Sequence, residues 1–426
     1  AGKTVFLTSL IANLLAAGRG ARTLPALSDA AGGRLRRVFV VPAGTETIPR
    51  FDPDAHLGAL DAEPPRWPER TEDFSTLSIA IDVERRTSLG GLLPDRRLTL
   101  DLVDYPGEWL LDLPMLRQDY AAWSAATLAR LRRGTRAGAA AAFLAFLDGL
   151  PSDAPAEDGL AKRGYTLYRD ALRACRDSHG LRFLQPGRFL NPGPRGEAPL
   201  LWFFPLPDGA PGGLADLCAR RYAAYLADQR ATFLDPFFSR FHRQVVLVDV
   251  LGALHAGREA FEDTGDALAA VAGVISGASW LERLLGAAPS RVAFAATKAD
   301  HVPSRARDAL ASLLTHIALG ARDRAEGSGA AMSTDAIAAI RWTADAGARR
   351  VGHAGAAVRG MLLQDGSGAT IYPGEVPMKP PEAAFWDAGL FIMPEFRPPR
   401  LDPARLSGVP HLGLDALLAW LIGDAL

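Results

Sequence analysis

Lysine is scarce in this chain. Of its 47 basic residues only Lys3, Lys162, Lys298 and Lys379 are lysines, and the other 43 are arginines. Arginine stands wherever either cation serves, so the remaining lysines mark positions that need a slim point charge rather than a planar fork. Cysteine is rarer still: Cys175 and Cys218 lie far apart, in neither a CxxC nor a metal spacing. That excludes a disulfide framework and fits a reducing cytoplasm. No apolar run reaches the roughly 18 residues of a spanning helix, so no transmembrane segment is expected. A net charge of −1 provides no global field for nucleic acid or anionic lipid, and no nucleic-acid partner is expected.

What is present is a chain of 426 residues, 48% hydrophobic, enough for one large domain with insertions or for two domains. The apolar start, 5–17, has Thr8, Ser9 and Asn13 inside it, which argues against a signal-peptide core. Helical spacing of Phe6, Leu7, Leu10, Ile11, Leu14 and Leu15 predicts a helix over 4–17, ended by Gly18. A short apolar stretch follows at 37–41, then a Pro-, Asp- and Gly-rich loop at 45–69. Strand-like runs at 77–85 and 97–103 flank a turn at 88–91 and read as a hairpin. From 113 to 240 the pattern is helical and amphipathic, with loops near 149–159 and 185–213. Buried strands are expected at 244–251 and 291–300, helices at 259–284 and 303–318, and a last short strand at 339–345. Irregular strands are expected at 358–373 and 388–396, and a closing helix at 412–422. Strands alternating with helices predict an α/β fold with helices on both faces of the sheet, and ligands beyond the carboxyl ends of its strands.

Three motifs fall at such ends. Gly2-Lys3-Thr4, opening a helix, has the form of the last positions of GxxxxGK[ST]. Backbone N–H groups there cradle phosphates, Lys3 reaches the β- and γ-phosphates, and Thr4 offers its hydroxyl to Mg²⁺. Val5 continues the same helix start. Asp104-Tyr105-Pro106-Gly107-Glu108 ends the hairpin. Asp104 can hold Mg²⁺ through a water, and Gly107 can give its N–H to a γ-phosphate. Thr297-Lys298-Ala299-Asp300 follows a buried strand. The Asp300 carboxylate can accept from N1–H and the 2-amino group of guanine but repels the N1 acceptor of adenine, and the Lys298 stem can cover the base. Each motif alone also reads as an ordinary helix start, turn or cap. Their order, phosphate then metal then base, is what argues for a site. Asp249, at the end of "VVLVD", is the rival metal aspartate of an ATPase reading.

With these residues the chain resembles a P-loop GTPase: GKT at 2–4, DYPG at 104–107 and TKAD at 297–300. "RWTAD" at 341–345, with Thr343, stands where a base-contacting loop is expected and departs from the usual Ser-Ala pattern. "RTEDFSTL", "DYPGEWLLDLP", "VVLVDVL" and "ATKADHVP", together with the long helical insertion, are similar to the YcjX-like family of bacterial stress-associated P-loop proteins. The resemblance implies a Mg²⁺-dependent NTPase binding GTP and GDP, with a protein partner that the family's neighbours suggest is membrane-associated. It also implies a switch threonine, for which Thr71 is the choice and Thr45, Thr47 and Thr76 are rivals. Glu108 stands where many GTPases carry a water-positioning glutamine, so hydrolysis is expected to be slow, with help from an unidentified arginine. The expected divisions are 1–112 and 243–350 for the nucleotide-binding domain, 113–242 for the helical insertion and 351–426 for a C-terminal extension. Because a phosphate loop needs an upstream glycine and a feeding strand, the chain is expected to start inside its own loop, with that first strand missing. An ATPase using Asp249, and a nucleotide-binding scaffold with negligible catalysis, remain open.

Overall fold

The computed structural model describes residues 2–42, 48–68, 73–85, 95–151, 153–193, 196, 198–207, 213–275, 290–327, 330–350, 353–389, 391–401 and 407–426. Thr45, Thr47 and Thr71, and the turn at 88–91, lie outside these residues.

The first helix, α1 (Lys3–Gly18), buries Phe6, Leu10, Ile11 and Leu14 along one face, as the sequence spacing requires. Gly2 caps it with φ 75°, a left-handed conformation that suits glycine. After α2 (Pro25–Ala30), strands β1 (Leu35–Val41), β2 (Ser75–Val83) and β3 (Arg96–Asp104) form an antiparallel sheet in the order β1-β2-β3. The hairpin expectation holds, with Ser75 opposite Asp104 and Val83 opposite Arg96. Inside the stretch expected to be a loop, the structure has α3 (Pro53–Asp61). Asp52 caps it by accepting from the Asp54 and Ala55 N–H groups, and Pro53 takes the first turn, where no N–H is needed.

A parallel sheet follows: β4 (Arg243–Val248), β5 (Arg291–Ala296) and β6 (Ala331–Ala336), in that order. The expected strand over 244–251 stops at Val248, because Asp249 caps a new helix, α9 (Val250–Ala256). The expected last strand at 339–345 is mostly loop. The sheet's third strand is "AMSTDA", paired among the described residues with β5 alone, and such an edge tolerates polar residues. Strand β5 is buried on both faces, with its side chains alternating between two cores. Val292, Phe294 and Ala296 join the core with α9 and two further helices, α10 (Arg258–Ile275) and α11 (Arg307–Gly327). Ala293 and Ala295 join the core built by α1, α2 and the closing helix α13 (Leu414–Ile422). The same α1-side core takes Leu77, Ile79, Ile81 and Val83 of β2, so α1 packs across both sheets. Among the described residues β3 pairs only with β2, and β4 only with β5.

Between the sheets the chain forms the expected helical region: α4 (Tyr120–Leu131), α5 (Gly134–Ala139), α6 (Ala141–Asp148), α7 (Asp158–His179) and α8 (Leu214–Gln229). It has its own aromatic core, including Trp123, Phe143, Tyr165, Tyr168, Phe189 and Phe203. A third sheet, β7 (Ala344–Arg350), β8 (His353–Met361) and β9 (Gly368–Ile371), is antiparallel. Among the described residues of 388–396 no strand forms beyond a bridge between Leu362 and Phe396, and a short helix, α12 (Ala383–Asp387), precedes it. No helix among the described residues is long and apolar enough to cross a membrane.

Candidate functional site

Lys3 and Gly107, far apart in sequence, meet in the fold. A side chain at Gly107 would begin 3.0 Å from the Lys3 Nζ, so a glycine leaves the ammonium its place. Gly107 opens the 3₁₀ segment Gly107–Arg117 directly after β3, whose last residue, Asp104, is 2% exposed. Thr4 lies in the first turn of α1, also buried, and its carbonyl accepts from the Thr8 hydroxyl at 2.8 Å. Val5 packs against the small core of Leu60, Ile340, Leu401 and Val409, as do Trp67 and Trp342. Burial alone would push the Glu108 carboxyl up. The Lys3 ammonium, with a backbone hydrogen bond behind it and Arg176 contributing least, outweighs burial and holds it below the usual range.

The 3₁₀ segment is tied down on its far side. Asp112 accepts from Gly187 N (2.6 Å), Arg188 N (3.3 Å) and the Tyr225 hydroxyl (2.5 Å). Burial pushes its carboxyl up to about 6, against the pull of these donors. The Leu111 carbonyl accepts from the Gln185 amide, and the Tyr222 hydroxyl donates to the Met115 carbonyl. Trp109 donates its indole N–H to the Asn191 carbonyl at 3.0 Å, and the Arg188 guanidinium lies 4.0 Å from its ring centroid. Residues 107–118 are therefore gripped by the helical region along most of their length.

At the end of β5, Thr297 continues the sheet by donating its N–H to the Val248 carbonyl. Lys298 follows with φ 63°, the one non-glycine residue with positive φ among the described residues. Its Nζ pairs with Asp249 at 2.8 Å. Asp249 also caps α9 through Gly252 N. Burial would raise its carboxyl, but Lys298 and that N–H together lower it below 3.8. The rival metal aspartate thus already has a cation and a helix cap as partners.

Asp300 is fully buried. Its Oδ2 accepts from Trp342 N (2.9 Å) and Thr343 N (3.3 Å), and the Thr343 hydroxyl donates to its carbonyl. Oδ1 has no hydrogen-bond partner among the described residues, with His301 Nδ1 at 3.5 Å. The structure so joins the 300 and 343 segments that the sequence suggested lie together. A ligand reaches Oδ1 only after neighbouring side chains give way. Thr76, a rival switch residue, is a ladder member of β2 with its N–H bonded to the Pro49 carbonyl. Among the described residues no group of three or more His, Cys, Asp or Glu side chains is placed to hold a metal.

Two residues of this neighbourhood escaped the sequence reading. Asp112 sits inside the quoted "DYPGEWLLDLP" and was legible there as an acid within an apolar run. Arg176 is one of 43 arginines, and no local signal marks it.

A model of the YcjX-like family matches residues 1–426. The chain is 37% identical to the Ras-like GTPase YcjX of Escherichia coli (strain K12), with all of this chain and 93% of that protein aligned. It is 35% identical to the Ras-like GTPase YcjX of Shewanella oneidensis, with all of this chain and 92% of that protein aligned.

Proposed function

The chain belongs to the YcjX-like family, and on that premise we propose that it binds guanine nucleotides as a P-loop protein and hydrolyses GTP slowly. The observation that carries the reading is the meeting of Lys3 with Gly107, three residues after the buried strand-end Asp104. A lysine, a glycine N–H and a strand-end carboxylate at one place are what a terminal phosphate and its metal need. The names of the two relatives point the same way. Guanine preference rests on Asp300, whose Oδ2 is held by the 342–343 backbone while Oδ1 keeps capacity for two donors.

Thr4 and Asp104 are the residues that would hold Mg²⁺, and their hard oxygens fit it. Such an ion keeps waters and phosphate oxygens, so one hydroxyl and one carboxylate suffice without a carboxylate cluster. Bound there, the ion draws off charge from the β- and γ-phosphate oxygens. Lys3 orients the triphosphate, Gly107 N–H contacts the γ-phosphate, and Glu108 positions water. Its negative charge beside that phosphate keeps the turnover slow. Thr71 is the proposed switch threonine. Residues 1–112 and 243–350 build the nucleotide-binding domain and 351–426 extend it. The insertion, 113–242, answers nucleotide state through the gripped segment 107–118 and presents it to a protein partner.

Calorimetric titration of the chain with GTP, GDP and ATP, each with Mg²⁺, tests the proposal. Tight GTP and GDP binding with little ATP binding is expected. A preference for ATP would transfer the base and metal roles to the rival reading.

A further inference from the structure

Lys298 holds φ 63°, in the left-handed region. A side chain there strains the backbone where a glycine would not, so its surroundings must hold it. The turn is fixed from two sides. Thr297 donates its N–H to the Val248 carbonyl at 2.9 Å, and Ala299 donates its own to the Ile337 carbonyl at 3.0 Å. His301 N closes the turn on the Lys298 carbonyl at 2.8 Å. Lysine is also the cation this chain avoids, since arginine outnumbers it 43 to 4. The position therefore keeps a slim stem and a point charge against both the strain and the composition.

An ion pair gives that stem its direction. Strands β4 and β5 are parallel neighbours, with Val248 opposite Ala296. Lys298 starts beyond the carboxyl end of β5, and its Nζ reaches Asp249, beyond the carboxyl end of β4, at 2.8 Å. The methylenes between therefore lie across the edge of the sheet at which ligands bind in such folds. The lysine side chain is 33% exposed, so part of this stem is open to a ligand. Asp300, two residues on in the same turn, is the proposed base acceptor, and a purine held there has the stem beside it.

Asp249 is itself built in. Its Oδ1 accepts from Gly252 N at 3.0 Å, capping α9, while its Oδ2 takes the ammonium. A side chain at Gly252 would start 2.8 Å from the Asp249 carboxylate, so a glycine leaves that group its place. Each oxygen has a protein partner, which suits an anchor better than a metal ligand.

We infer that Asp249 is a positioning residue for the nucleotide base: it anchors the Lys298 ammonium so that the lysine stem forms a fixed wall of the base site next to Asp300. The inference deepens the guanine-nucleotide reading above and rests on it. Asp249 touches no part of the nucleotide. It acts by ordering a long side chain before the ligand arrives. Ordering such a chain at the moment of binding costs affinity, and an anchor that orders it beforehand removes that cost. The wall meets the base and not the phosphates, so GTP and GDP gain alike.

The test is a double-mutant cycle on the full chain: parent, D249N, K298M and the two combined, with D249A alongside. GTP and GDP affinities are measured by calorimetry over a range of Mg²⁺ concentrations, and urea unfolding checks that each variant is folded. Asparagine at 249 keeps an oxygen for Gly252 N, so the cap survives while the ion pair is lost. D249N is expected to weaken GTP and GDP alike by about 3- to 10-fold. With K298M already present, the same change should cost less than about 2-fold, because the anchor has nothing left to hold. Parental affinity in D249N with loss only in D249A would make the residue a helix cap and overturn the inference. Equal losses from D249N in both backgrounds would overturn it as well. Both of these results leave the guanine-nucleotide reading standing. Loss of the Mg²⁺ dependence of GTP affinity in D249N would return Asp249 to the metal and also overturn the inference. A parent chain that does not bind GTP would overturn the inference and the reading together.

Discussion

Replacing Gly187 by alanine adds one methyl group where backbone meets backbone. The new Cβ would lie 1.9 Å from the Glu108 carbonyl oxygen and 2.5 Å from its carbon. Ordinary contact needs about 3.5 Å, so the two segments must part by more than about 1 Å. No side chain can swing away to relieve this. Parting them stretches the bonds that Asp112 receives from Gly187 N and Arg188 N, now 2.6 and 3.3 Å. Overpacking costs about 1–3 kcal/mol, and each buried donor left unpaired costs about as much again. Because the terms share one displacement, we expect about 2–5 kcal/mol in total, a large part of a typical domain's stability. The assay is urea unfolding of parent and variant, with G58A as the comparison. Gly58 is an exposed glycine of α3 with nothing within 4 Å of its Cβ site, so alanine there should stabilise by about 0.5–1 kcal/mol. A G187A midpoint equal to the parent's would refute the close approach and the clamp built on it.

Three further outcomes follow from the site. K3A should abolish GTP binding in calorimetry, and K3R should fail almost as badly, because the space beside Gly107 admits an ammonium and not a fork; unchanged affinity in both would remove Lys3 from the site. D300N should keep its carbonyl under the Trp342 and Thr343 N–H groups and present an amide donor in place of Oδ1, weakening GTP and favouring xanthosine triphosphate, each by about 10- to 100-fold in competition binding. Retained GTP selectivity would refute the base assignment. Asp249 has a folded pKa lowered below 3.8, so its contribution is complete above about pH 4 and is lost as pH falls through the folded value. In K298M burial prevails and the sign reverses. The stability gap between parent and K298M should therefore narrow on acidification from pH 5 to pH 3, and a gap that widens would contradict the pairing.

Much of the fold was legible wherever one physical demand dominated. Helix α1 shows its period because Phe6, Leu10, Ile11 and Leu14 share one apolar stripe, although Thr8, Ser9 and Asn13 are buried as well, and β5 reads as a continuous apolar run because both its faces are buried. Strand β6 was missed because, among the described residues, only β5 pairs with it, so Ser333, Thr334 and Asp335 are tolerated. The run at 244–251 misled because Val250 and Leu251 are as apolar as a strand, while Asp249 before them is a cap. Helix α3 was hidden by Asp52 and Pro53, which start a helix as readily as they mark a loop. At the site, Lys3, Gly107, Asp104, Asp300 and Thr343 were picked out by motif spacing, which records chemistry close along the chain. The Asp112 clamp was not, because its partners come from other elements and depend on how α8 and the 185–188 stretch fold back.

The grip of the helical region on 107–118 works in both directions. Suppose nucleotide moves Gly107, and the segment carries that motion through Asp112 and Tyr225 into α8. Thermodynamic linkage then requires that whatever seats itself on α7 or α8 and prefers one nucleotide state changes GTP affinity by the same factor that GTP changes its own. A binder selected on the isolated surface of the insertion would thus act as a nucleotide-exchange or nucleotide-retention factor without touching the phosphate site. Which of the two it became would depend only on the state it favoured.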